Sequence, residues 1–284
     1  MFFDRFRKKN KKEEKISKFS ELRNNVAKIT KEKINQYINS GYTKEQLEPF
    51  INSININLSD LDRFIECYEK CEANLSSLDK DSEQYKKELE NKNSWYYSLI
   101  ECSKRVEFYR PNSITESHER DEIFKNFGNT VSNLLGPDSN LRFHGTSIYY
   151  AKDIIKSKTI SGTADRYDGH IKSTDSKGTF SASDVSSLNR TVQFFMDLGS
   201  DRRCFPCGVL FVLNEKDNDY DLREASLMNN IDFNKNPEQL NAIISTDENI
   251  KSLTKWCLES NIDPSCIYTY DSYIEYIRNS KIVK

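Results

Sequence analysis

No run of this 284-residue sequence reaches the eighteen or so apolar residues that a membrane-spanning helix requires. A glycine-rich dinucleotide fingerprint is also missing, which argues against a Rossmann sheet. Charge of neither sign dominates: 42 Lys and Arg stand against 44 Asp and Glu, a net of −2. That balance counts against nucleic acid as the main partner. Histidine is scarce, with only three in the chain. Seven cysteines are present, an odd number at irregular spacing, which fits the reduced thiols of a cytosol better than a disulfide framework. Hydrophobic residues at 36% and charged ones at 30% describe a soluble chain with a polar surface, long enough for one large domain or two modest ones.

The first fifteen residues carry Phe2, Phe3 and Phe6 and then seven cations. They hold no apolar core of a secretory signal. Two readings stand: a solvated, flexible basic and aromatic terminus, or an interfacial anchor making weak membrane-surface contact. Residues 16–137 read as a helical domain. Ile16, Phe19, Leu22, Val26 and Ile29 recur every three or four positions. Gly41 ends that helix, and Thr43 to Gln46 form a capping box for the next. A further helix is expected from Ser59 or Asp60 through Leu61, Phe64, Ile65 and Tyr68. Another runs from about Ser82 towards Tyr109, with Trp95, Tyr96, Leu99 and Val106 on its core side and Pro111 as its stop. A last helix, roughly Glu119–Leu135, leads to a boundary at Gly136-Pro137. Cys67 and Cys71 lie four apart on a helix, but no nearby ligands complete a metal set, so they read as core thiols.

From 138 to 284 the pattern changes to short strands between helices, an α+β arrangement. Strands are expected at Leu141–Thr146, Thr179–Ala182, Val209–Leu213, Ala242–Ile244 and Cys266–Tyr270. Val209–Leu213 is apolar without a break and so buried on both faces. Ser147 and Asp184 cap helices, the first burying Tyr150, Ala151, Ile154 and Ile155, the second Leu188, Val192 and Phe195. Helices from about Asp247 and over Ser272–Asn279 complete the chain.

Two motifs in this half carry chemistry. Leu141–Ser147 is an apolar strand ending in His144-Gly145-Thr146, which offers an imidazole, a backbone with no side chain in the way and a hydroxyl. About thirty residues on, Gly178-Thr179-Phe180-Ser181-Ala182-Ser183 ends a second strand. Together they resemble the ADP-ribosyltransferase superfamily over about residues 141–250. The His-Gly-Thr resembles the diphtheria-toxin and poly(ADP-ribose) polymerase branch, and the Phe-Ser-x-Ser blends that branch with the cholera-toxin-like one. The resemblance implies a split β-sandwich with NAD, a substrate here, in the cleft. His144 would bond a ribose hydroxyl, Gly145 the nicotinamide carboxamide, Phe180 would stack on nicotinamide, and Thr146, Ser181 and Ser183 would complete the NAD site. No metal is required.

The chemistry of that family needs a carboxylate to stabilise positive charge at the anomeric carbon. The segment in the matching place reads Asn241-Ala242-Ile243-Ile244, which puts Ala242 where the catalytic Glu is expected. Glu238 lies four residues earlier and Glu248 six later. Three explanations stand side by side: Glu238 serves, the chain is a non-catalytic relative, or Ala242 replaces an active-site acid. If active, the protein expels nicotinamide and passes ADP-ribose to a protein or other acceptor, and the resemblance allows a bacterial toxin or effector in a host cytosol. The alternative is a non-catalytic interaction protein that binds a partner through its helical domain. An RNA 2′-phosphotransferase ranks last; Arg166, Arg190, Arg202 and Arg203 would be its phosphate ligands. His170 reads as a loop histidine, and Cys204 and Cys207, with Cys257 and Cys266, as structural thiols.

Overall fold

In the computed structural model, Gly41 and Thr43 make the first corner of the chain. Residues 2–111, 117–136, 139, 141–160, 179–181, 208–214, 226–228 and 231–282 are described. Helix α1 (Phe2–Asn39) ends where Gly41 takes a left-handed φ of 91°, a conformation that costs glycine little. Thr43 then opens α2 (Lys44–Leu75) with both bonds of the capping box. Its N–H donates to Gln46 Oε1 at 2.9 Å, and its hydroxyl accepts from the Gln46 N–H at 3.3 Å. Residues 2–15, read from the sequence as a flexible terminus, are helical within α1.

Helix α2 runs unbroken through Ser59 and Asp60, where the sequence suggests a new start. The reason is the buried stripe Leu47, Phe50, Ile54, Asn57 and Leu61, whose spacing of three and four continues across that point. Asp60 spends its carboxylate on Arg63 three residues ahead, at 3.0 Å. Ser82 caps α3 (Glu83–Arg105) by accepting from the Tyr85 N–H at 3.1 Å. This helix stops at Arg105, well before Pro111, and Val106, Phe108 and Tyr109 turn into the core. Leu99 and Val106 are buried as expected, whereas Trp95 and Tyr96 are half-buried. The Asn57 amide, fully buried, donates to the Cys102 carbonyl at 2.9 Å and ties α2 to α3.

Contacts divide the chain into two compact units, Met1–Pro111 and Asn112–Lys284. Helix α4 (Ser117–Leu135), counted with the helical domain in the sequence, therefore falls in the second unit. Its Phe127 and Val131 join that unit's core. The second unit continues with β1 (Leu141–Thr146), α5 (Ile148–Ser157), β2 (Thr159–Ile160), β3 (Thr179–Ser181) and β4 (Val209–Asn214). Then follow β5 (Ser226–Met228), β6 (Ile231–Asp232), β7 (Leu240–Ser245), α6 (Asp247–Glu259), β8 (Ile267–Thr269) and α7 (Tyr270–Ile282). Strands β1, β4, β7 and β8 form one sheet in that order, antiparallel except for β7 and β8. Two-stranded pairs β2–β6 and β3–β5 stand beside it.

One face of the four-stranded sheet carries Phe143, Leu210, Val212, Ala242 and Ile244. They pack on Phe127 and Val131 of α4 and on Tyr270, Tyr273 and Ile277 of α7. Strand β4 sits centrally and is buried on both faces, as its apolar run requires. The chain is thus mixed helix and small sheet, an α+β make-up. The expected helix after Asp184 and the Ser161–Lys177 loop lie outside the described residues.

Candidate functional site

Side chains alternate between the faces of a strand, so registry decides which residues can meet. His144 on β1 is opposite Phe211 on β4, which is opposite Ile243 on β7. These three share a face. Phe143, Val212 and Ala242 form the neighbouring row and share the other. Ala242 therefore stands on the opposite side of the sheet from His144, with no exposure to solvent. A carboxylate at position 242 would enter the apolar layer under α4 and α7, not a cleft lined by His144.

Glu238 is also removed from His144. It lies in a 3₁₀ turn, Pro237–Gln239, just before β7. The Asn214 amide donates to its carbonyl at 2.6 Å, and the Asn241 amide donates to Asn214 Oδ1 at 3.2 Å. Asn214 pairs with Leu141, at the start of β1, while His144 pairs with Phe211 three residues away. Three residues of strand span about 10 Å. The Glu238 side chain is exposed at that far end. A bulge at Asn241, where the register shifts between Val212 and Leu213, lets the 3₁₀ turn rejoin the sheet.

The other end of the sheet gathers more of the expected site. Thr146 is opposite Val209, and Ser245 ends β7 at the same level, one residue past the Leu210–Ile244 pair. The Ser245 hydroxyl donates to the Gly208 carbonyl at 2.6 Å, and the Asn249 amide donates to Ser245 Oγ at 2.9 Å. Both side chains are fully buried. This chain of bonds fixes the first turn of α6 against the start of β4. Asp247 and Glu248 occupy that turn, and the Thr246 hydroxyl donates to Glu248 Oε1 at 3.3 Å. Helix α5, which leaves directly from Thr146-Ser147, packs against α6. Among the described residues, the acids next to the end of β7 are thus Asp247 and Glu248, with Asp271 following β8, the strand farthest from β1. The signal in the sequence was only that they follow a strand end; strand pairing reveals which end.

Ser147 holds the N-cap position of α5 with extended backbone, and its carbonyl accepts from the Ala151 N–H at 2.9 Å. Its hydroxyl makes no capping bond, and among the described residues it is buried without a partner. Ile148, Tyr149, Ala151 and Ile155 are the buried residues of this helix, in place of the expected Tyr150 and Ile154. Gly145 and His144 are half-buried, and Thr146 is 8% exposed.

The second motif is brought beside the first. Strand β3, which carries Phe180 and Ser181, neighbours β1 although more than thirty residues separate them in sequence. Phe180 pairs with Leu227 and Ser181 with Ser226 on β5. Ser183, His170, Cys204, Cys207 and the four arginines Arg166, Arg190, Arg202 and Arg203 lie outside the described residues. Burial pushes the Cys257 thiol up to about 12 and Cys266 up to about 11, so both are held as thiols at neutral pH. Cys71 is raised to about 11 by burial and by a hydrogen bond with Glu88. Among the described residues no group of three His, Cys, Asp or Glu could hold a metal ion, and no helix is long and apolar enough to cross a membrane. Family models, curated proteins and solved structures give no match to this chain.

Proposed function

We propose that residues 138–284 act as an ADP-ribosyltransferase-like module that takes NAD as substrate, releases nicotinamide and passes ADP-ribose to a protein or other acceptor. The observation that carries this reading is the adjacency of β1 and β3, which sets His144-Gly145-Thr146 beside Phe180-Ser181. An imidazole, a bare backbone, hydroxyls and an aromatic ring are the groups that a nicotinamide riboside calls for. Breaking the bond to nicotinamide leaves positive charge on the anomeric carbon, and a carboxylate must face it. Glu248 is the acid we assign, because its turn is tied to the sheet end where His144-Gly145-Thr146 finishes. Work inside a host cell as a toxin or effector is compatible with this chemistry.

A second reading is favoured by one specific observation. Ala242 is packed into the core, so the segment that resembles the family's third motif offers no acid to the His144 face. On that reading the module binds NAD weakly without turning it over, and the protein serves as a non-catalytic interaction partner.

The test is NAD consumption and NAD binding by the whole chain and by four variants. Transfer chemistry predicts turnover that falls by about a hundredfold or more in His144→Ala and in Glu248→Gln, the scale of losing one transition-state contact. Glu238→Gln keeps the wild-type rate. Ala242→Glu gains nothing and unfolds more easily, by on the order of 3–5 kcal/mol for an uncompensated buried charge. NAD binding without turnover, lost in His144→Ala, selects the non-catalytic reading. Neither binding nor turnover in the wild-type chain would sink the NAD assignment.

A further inference from the structure

The helical unit carries a surface that the NAD reading does not use. Helix α1 is continuous from Phe2 to Asn39, so a single phase relates its first turns to its packed portion. In that packed portion Phe19, Val26 and Thr30 are the buried residues. With about 100° of turn per residue, they define one stripe along the helix. The positions of Phe2, Phe3 and Phe6 fall within about 100° of each other, and their centre lies about 150° around the helix from that stripe. They do not extend the face that packs within the unit. Of the seven cations in this segment, Arg5, Lys8, Lys9, Lys11, Lys12 and Lys15 spread over about 160° on the side away from the three phenylalanines, while Arg7 falls about 40° from Phe3.

Charge is segregated as sharply as hydrophobicity. Residues 1–15 hold seven cations against three carboxylates, while the chain as a whole is at −2, so the remainder is acidic. A cationic segment of this kind fits an anionic partner. Which anionic partner follows from the placement of the aromatics. A nucleic acid is gripped by cations and stacking rings on one face, since both must reach the same strand. Here six of the seven cations stand on the face opposite the rings and Arg7 flanks them, the arrangement of a helix lying in an interface with rings below and cations at headgroup level.

We propose that the first four turns of α1 form an in-plane docking surface for an anionic bilayer, with Phe2, Phe3 and Phe6 entering the headgroup region. The aromatic face is short, because Asn10 and Glu13 occupy its next two turns. Three rings alone give a shallow hold, so attachment needs both signals, aromatic insertion and charge.

The full-length chain is sedimented with vesicles of phosphatidylcholine alone and with vesicles containing roughly a third phosphatidylserine. Binding to the anionic vesicles is expected to be at least about tenfold stronger and to fall when salt is raised from about 0.1 M to about 0.5 M. Lys8→Glu with Lys12→Glu, and separately Phe3→Ser with Phe6→Ser, each lower it by about tenfold or more. Lys28→Glu, a charge change at a well-exposed site in the packed portion, leaves it unchanged. Circular dichroism matching the wild type verifies that the variants fold. Equal binding to both vesicle types overturns the proposal. So does an undiminished Phe3→Ser, Phe6→Ser variant, or a single-stranded RNA homopolymer that binds as tightly as the vesicles and is indifferent to that variant.

Discussion

Lys33 shows how a single side chain carries the consequence of packing. Its Nζ donates to the Glu107 carbonyl at 2.6 Å, and burial, reinforced by the nearby Arg110 charge and opposed by Glu107, lowers its pKa to about 8. In the unfolded chain the amine titrates near its ordinary 10.5. Between these values the unfolded state binds more protons than the native one, so stability rises with pH. Below about 8 the cost of burying the charge is fully present. Tyr37, whose pKa burial raises above the ordinary value, reverses the trend once the unfolded phenol ionises. The buried thiols of Cys71, Cys257 and Cys266 act in the opposite sense once unfolded thiols ionise near 9, so the Lys33 contribution is read as a difference. In denaturant unfolding between about pH 8 and pH 9.5, the wild type should gain stability relative to Lys33→Met by at most about 1.4 kcal/mol per pH unit. A difference between the two proteins that stays constant with pH would show that Lys33 does not titrate there. The same scale governs the candidate site. Ala242 and Ile243 are neighbours in the chain, yet one belongs to the apolar layer and the other to the face of His144.

At the level of elements, capping and turn chemistry are legible in the sequence, because they depend on a few adjacent residues. Gly41 and Thr43 are the clearest case. A methyl group added at Gly41 would meet nothing within 4 Å, so its cost would be conformational alone. With φ at 91°, Gly41→Ala should destabilise the helical unit by about 1 kcal/mol, seen as a lower denaturation midpoint with unchanged helix content. A neutral outcome would mean that the α1–α2 corner relaxes freely. Helix α2 shows the limit of local reading. Ser59 and Asp60 have the chemistry of a cap, but the long buried stripe from Leu47 to Leu61 outweighs it. The end of α3 is similar: Pro111 is a legitimate stop, but Val106, Phe108 and Tyr109 are drawn into the core first.

At the level of the whole molecule, the division after Pro111 gives each unit its own buried core. Residues 1–111 should therefore fold alone, with strongly helical circular dichroism and a cooperative thermal transition; a featureless spectrum would show that the unit depends on the remainder of the chain. Periodicity, caps and unbroken apolar runs determined by themselves that the first part is helical, that Val209–Leu213 is a central strand, and that His144-Gly145-Thr146 ends a strand before a helix. These are short-range properties of the chain, written in spacings of two, three and four residues. Tertiary structure alone decided which unit holds α4, which sheet face Ala242 occupies, and which carboxylates stand at the His-Gly-Thr end. Those depend on strand order and register, set by pairings between residues that lie up to about seventy positions apart and leave no local mark on either partner.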